Sequence, residues 1–187
     1  MADTSRSLQP ARYGAGAIVF HWLIALLLFG QIAFGWFLET VPRGIPARGF
    51  YVNLHKSSGL CLALVILLRL IWRLTHPAPP LPSFVKAWER VLTQWTHFGL
   101  YACMLIMPLS GYIASNFSKY GVKLFNAVLL PPWGPEDKGI YAVFNTTHVV
   151  TSYLFVALIS LHLLGAIRHA CRRDGVVSRM WPSRSSH

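Results

Sequence analysis

Acidic side chains are the scarcest feature of this sequence. Six Asp and Glu stand against seventeen Lys and Arg in 187 residues. None lies inside the long apolar stretches. That argues against buried carboxylate pairs, and against a proton relay that needs a carboxylate at membrane depth. Cysteine is also sparse. Cys61 and Cys103 sit in apolar runs and Cys171 among arginines. They read as small core residues or a free thiol. No pair has metal-ligand spacing, and no C-x-x-C-H run offers covalent haem attachment. Internal repeats and low-complexity segments are absent. No A-x-A-like site follows the first apolar stretch, so that stretch reads as a retained membrane helix and not a cleaved signal.

Apolar residues are abundant: 54% are hydrophobic and 12% charged, with mean hydropathy +0.46. That is membrane composition. The net charge of +11 does not point to nucleic acid, because no basic stretch is interleaved with the polar surface a groove binder needs. It fits loop arginines flanking membrane spans.

Four spans are expected, at about residues 15–38, 51–74, 91–114 and 141–169, within one domain covering 1–187. The fold class is an all-α, integral membrane four-helix bundle. Pro42 and Pro46 break the first loop, and the run Pro77–Pro82 makes a stiff linker. Pro108 is expected to kink the third span. Residues 115–139 are expected to form a short interfacial helix and then a tight loop. Trp72 reads as an interfacial anchor. Eleven of the seventeen basic residues fall on the side that holds both termini, including Arg6, Arg12, Arg69, Arg73, Lys86, Arg90 and Arg184. The positive-inside rule places both termini in the cytoplasm.

Histidines carry the functional signal. His148 and His162 are separated by fourteen residues in the last span. A helix puts them about 21 Å apart along its axis and about 40° apart around it, on one face. With the expected topology, His21 shares the depth of His162, and His55 that of His148. Ala17 and Ala25 flank His21, and Gly59 is expected to clear space beside His55. Facing imidazoles in a bundle suit a bis-axially ligated haem, which leaves the iron no open position and favours electron transfer. Zinc or copper fits less well, since each depth offers two good ligands and no nearby Cys or carboxylate. A lone buried His is more often a core residue; matched pairs in register on one helix weaken that reading. His97 has no matching partner, which leaves a propionate contact or helix packing. His76, His169 and His187 read as loop or tail residues. His169 adds the possibility of proton delivery, and Arg69 and Arg73 suit propionates.

The runs FHWLIALLL, LHKSSG with LLRLIWRLTHPAPP, and TTHVVTSYLFVALISLHLLGAIRH resemble the bacterial cytochrome b561 family over about residues 13–182. The resemblance implies two non-covalent b-type haems, ligated by His21 and His162 on the inner side and by His55 and His148 on the outer. It matches His97 and His169 to two further family histidines, and it implies the bacterial inner membrane. It also implies an oxidoreductase resembling a superoxide oxidase, passing electrons from periplasmic superoxide to ubiquinone. Arg43, Arg48, Lys56, Lys119, Lys123 and Lys138 would then steer the anion inward. The alternative is a b-type cytochrome subunit carrying electrons between a partner dehydrogenase or hydrogenase and the quinone pool. A third reading, structural histidines without redox function, predicts no haem spectrum.

Overall fold

The computed structural model describes residues 12–181. Arg6, Arg184 and His187, assigned above to the tails, lie outside them. Four long helices dominate: α1 (Ala15–Thr40), α2 (Pro46–Thr75), α3 (Ala87–Asn116) and α4 (Lys138–Arg172). All four are long and apolar enough to cross a membrane. At 35 residues α4 is about 52 Å long, well beyond a hydrocarbon core of about 30 Å. Its ends therefore project past the apolar slab.

Helix α1 starts at the expected residue, but α2, α3 and α4 each start earlier than the hydropathy pattern suggests. Pro46 does not break the loop but occupies the first turn of α2. Its fixed φ suits that position and its missing N–H is not needed there. His55 consequently lies over two turns inside α2. Asp137 caps α4, accepting from the N–H groups of Gly139 and Ile140 at 2.8 and 2.9 Å, the usual device for orphan donors. The earlier start of α3 brings Glu89 into its first turn. Helix α3 continues through Pro108.

Packing is uneven. Helix α3 lies along α4 and α1 along α2, with α2 and α3 joining the two hairpins. The core is small: Ile24, Leu62, Ile66, Cys103, Met104 and Phe155. Most other large apolar side chains face outward, for example Leu26, Leu64 and Leu164. Outward apolar faces need no partner when lipid is the solvent. Cys61 is exposed on that surface, not a core residue, whereas Cys103 is buried. Trp72 is half-buried: it stacks on the exposed His76 at 3.9 Å, and a Cβ at Gly16 would come within 2.6 Å of its ring.

Residues 115–139 contain a β-hairpin where an interfacial helix was expected. Strands β1 (Val122–Leu124) and β2 (Val128–Leu130) pair antiparallel, Lys123 opposite Leu129. Phe125 and Asn126 both adopt positive φ, 46° and 60°. Ala127 N–H donates to Leu124 O at 2.9 Å, giving a tight turn of the primed kind. The hairpin docks on α2. Phe125 N–H donates to Ser57 Oγ, Asn126 Nδ2 to Phe50 O, and Lys56 Nζ to Gly121 O. These long-range bonds satisfy backbone groups that an isolated helix would have satisfied internally, and so override the local pattern.

The opposite end is held by the segment after α4. Its 3₁₀ turn (Val177–Met180) buries Arg179 to 2% exposure. Arg179 donates to Pro79 O and Pro80 O, each at 2.9 Å, and lies over the Tyr13 ring. Tyr13 N–H donates to Arg179 O. Trp22 Nε1 donates to Met180 O at 2.8 Å. The start of α1, the segment after α4 and the proline linker thus meet at one end of the bundle, the terminal end; the hairpin marks the other.

Candidate functional site

Helix α4 faces its two histidines inward at different depths. His148, near the hairpin end, lies across from His55 of α2, with ring centroids 6.4 Å apart. His162, nearer the terminal end, lies across from His21 of α1 at 6.2 Å. In both pairs the rings are steeply inclined, by 87° and 67°. Midway between, on the same face of α4, sits Phe155 at 2% exposure. It is seven residues from each histidine, about 10 Å along the axis. The apolar core therefore separates the two polar depths.

Local contacts set the rings. His148 Nδ1 lies 2.8 Å from Met107 O. A carbonyl only accepts, so Nδ1 carries the proton and Nε2 presents a lone pair. Gly111 makes room for this ring: a Cβ there would fall 2.9 Å from Nδ1. Gly35 stands beside His55, with 3.5 Å from its Cβ position to Cε1. His55 Nδ1 is buried without a hydrogen-bond partner, an arrangement that is costly unless something binds the ring. Gly59 does not leave space beside His55. Its clearance is filled by the Gln31 amide, 3.0 Å from the Cβ position, which donates to His55 O at 2.7 Å. The glycines that do face histidines, Gly35 and Gly111, are far in sequence from the rings they touch, so spacing alone did not reveal them.

His97 acquires a partner that depth matching did not give it. Its ring centroid is 5.3 Å from that of His162. Arg69 Nη1 approaches His21 Nδ1 at 3.5 Å, too long for a strong bond, and its guanidinium lies over Tyr101. Arg69 and Arg73 are both within electrostatic reach of His97. The depth nearer the terminal end is thus a cluster of three histidines beside two arginines.

The other cations differ in freedom. Arg48 donates to Leu38 O at 2.7 Å and to Val41 O, closing the end of α1. Lys56 is tied to Gly121 O. Lys119 lies over Tyr120. Lys123 uses its backbone N–H on Asn53 Oδ1. Arg43 is exposed. Glu89, 6% exposed, holds Arg168 at 3.1 Å and Arg172 at 2.9 Å and meets no histidine in these pairs. His169 Nδ1 lies 2.6 Å from Asp174 Oδ2. Burial raises the Asp174 carboxyl, but bonds from His169 and Val176 N–H and the charge of Arg172 outweigh it and hold it below the usual carboxylate value.

Among the described residues, no cluster of three or more His, Cys, Asp or Glu could hold a metal by protein ligands alone. The donor set is two imidazoles per depth, which suits a metal whose remaining positions are filled by a macrocycle. Two metal–imidazole bonds of about 2 Å, with about 1.1 Å from each nitrogen to its ring centre, put the centroids about 6 Å apart. Both pairs meet that spacing.

An apolar bundle with facing imidazoles at two depths defines a membrane redox protein of the helical-bundle class. Comparison with known sequences supplies the narrower group. The family model described as prokaryotic cytochrome b561 matches residues 12–183, and the chain belongs to that family. It is 30% identical over 183 residues to "Cytochrome b561 homolog 2" of Escherichia coli (strain K12), covering 95% of each chain. It is 22% identical over 177 residues to "Probable superoxide oxidase CybB" of Yersinia pestis, covering 92% of this chain and 97% of that one. The protein is a multi-pass bacterial inner membrane protein that transfers electrons, and its family implies b-type haem.

Proposed function

We propose that His21 with His162, and His55 with His148, each hold one b-type haem, and that the chain transfers electrons from superoxide to ubiquinone. The observation that carries this is the pair of imidazole spacings, 6.2 and 6.4 Å, at two depths. Haem b, when bound between two imidazoles, supplies reversible one-electron transfer. The chain's own residues do the rest. The Met107 carbonyl fixes the His148 tautomer and ring orientation, a partner that also raises ligand basicity. Arg69 and Arg73 place positive charge at the inner depth, suited to propionate carboxylates. Phe155 and its neighbours exclude water between the depths.

The charge pattern sets the direction. Eleven basic residues lie on the side with both termini, which the positive-inside rule makes cytoplasmic. The hairpin end is then periplasmic. It carries Arg43, Arg48, Lys56, Lys119, Lys123 and Lys138 against Glu39, Glu136 and Asp137, a net positive field for a small anion. The donors of Arg48 and Lys56 are held by backbone carbonyls, so these two act through the field and not as flexible hooks. The relative named as a probable superoxide oxidase supports this choice of donor. Two superoxide ions each lose one electron to become dioxygen; quinone takes both electrons and two protons to become quinol.

The test is optical. Purified protein in detergent should show b-type bands in a reduced-minus-oxidised spectrum. Superoxide should reduce them, and added quinone should reoxidise them. Bands that superoxide leaves oxidised would favour a subunit fed by a partner dehydrogenase or hydrogenase. A protein without such bands would refute the haem assignment.

A further inference from the structure

The chain reverses sharply after α4. Arg173 takes a left-handed conformation with φ 53°, and Gly175 has φ 78°. Asp174, between them, is held at both oxygens. Oδ1 accepts from Val176 N–H at 3.1 Å, and Oδ2 faces His169 Nδ1 at 2.6 Å. Both side chains are mostly buried, at 13% and 16% exposure. His169 lies seven residues past His162, about 10 Å further along α4 and about 20° around it. It therefore stands on the inner histidines' face, between them and the terminal end. There it lines an open cleft of about 360 Å³ with Ala170, Arg173, Gly175, Val177 and Ser178. The next residue, the buried Arg179, ties this segment to Pro79 and Pro80.

We propose that Asp174 positions His169 as the group through which protons enter from the terminal end for quinone reduction. The proposal rests on the quinone reading above. A carboxylate at Oδ2 only accepts, so His169 Nδ1 is the donor, and Nε2 is left to take up and release protons. This is the division of labour between an orienting carboxylate and a working imidazole. Asp174 is the positioning residue and His169 the proton carrier. Each quinol formed draws two protons from water through Nε2, while the two electrons come from superoxide. The other charged groups nearby are already engaged or face the cleft: Arg168 and Arg172 bind Glu89 of α3, Arg179 binds the proline linker, and Arg173 lines the cleft.

Asp174→Asn tests this sharply. Its oxygen stays on Val176 N–H, so its NH₂ faces His169 and demands an acceptor at Nδ1. His169 is then expected to switch to the Nε2–H tautomer. The measurement is ¹⁵N-histidine NMR on full-length, haem-loaded protein in lipid nanodiscs, alongside quinol formation driven by superoxide. Wild type should show His169 protonated at Nδ1. Asp174→Asn should show Nε2–H and form quinol about tenfold more slowly, and His169→Gln about a hundredfold more slowly. In both, superoxide should reduce the b-type bands at the wild-type rate. His169→Gln keeps a donor to Asp174, so it reports on proton transfer even where Asp174→Asn disturbs the reversal. Wild-type quinol rates in both variants would overturn the proposal. A wild-type His169 protonated at Nε2 would overturn the dyad alone. Absence of quinol formation in wild type would remove the quinone reading and this proposal with it.

Discussion

Replacing His148 with Ala is expected to remove about half of the low-spin b-type absorbance and all rapid reduction by superoxide. His148 is the imidazole across from His55, and among the described residues no group of three or more His, Cys, Asp or Glu could hold a metal in its place. The remaining absorbance should belong to the His21–His162 depth, about 20 Å away along α4, and should still be reduced by dithionite. The two depths are separated by a buried apolar layer centred on Phe155, so damage at one should not reach the other. Visible spectra of the purified variant under each reductant check this. An unchanged spectrum, or superoxide reduction at the wild-type rate, contradicts the pairing.

Gly111→Val should produce nearly the same loss without touching a ligand. A Cβ at this position falls 2.9 Å from His148 Nδ1, closer than real Cβ contacts come, and 3.1 Å from Cε1, tighter than most. The ring cannot absorb the clash without leaving Met107 O, 2.8 Å away, or tilting away from His55. Overpacking of this kind costs about 1–3 kcal/mol, which corresponds to about a five- to 160-fold drop in haem affinity. Gly165→Val is the control. It lies on the same helix as His148, and nothing stands within 4 Å of its Cβ position. Haem content per chain should fall in the first variant and stay at the wild-type value in the second.

The four spans and the matched histidine depths were legible because they depend on local rules. Apolar length sets a span, and a fourteen-residue interval fixes a helix face whatever surrounds it. Helix starts were less legible. Pro46 reads as a breaker until it is seen at the first turn, where it is favoured. The hairpin at 122–130 escaped because its support is distant: Ser57, Asn53 and Lys56 of α2 hold it. The same holds for His97, which meets His162 only because α3 packs closely on α4. Gly35 and Gly111 each serve a histidine on another helix, and no interval in one chain segment encodes that. Asp174 was readable only as a charge after the last helix, because its role depends on the reversal at Arg173 and Gly175.

The central claim is that this one chain binds haem at two depths. Haem content per chain, from the pyridine haemochrome spectrum of purified protein against its amino-acid quantitation, tests it most directly. The account predicts two b-type haems in the wild type, falling to one in His148→Ala and in His162→Ala. A wild-type value of one, or a haem that survives both substitutions, would contradict it.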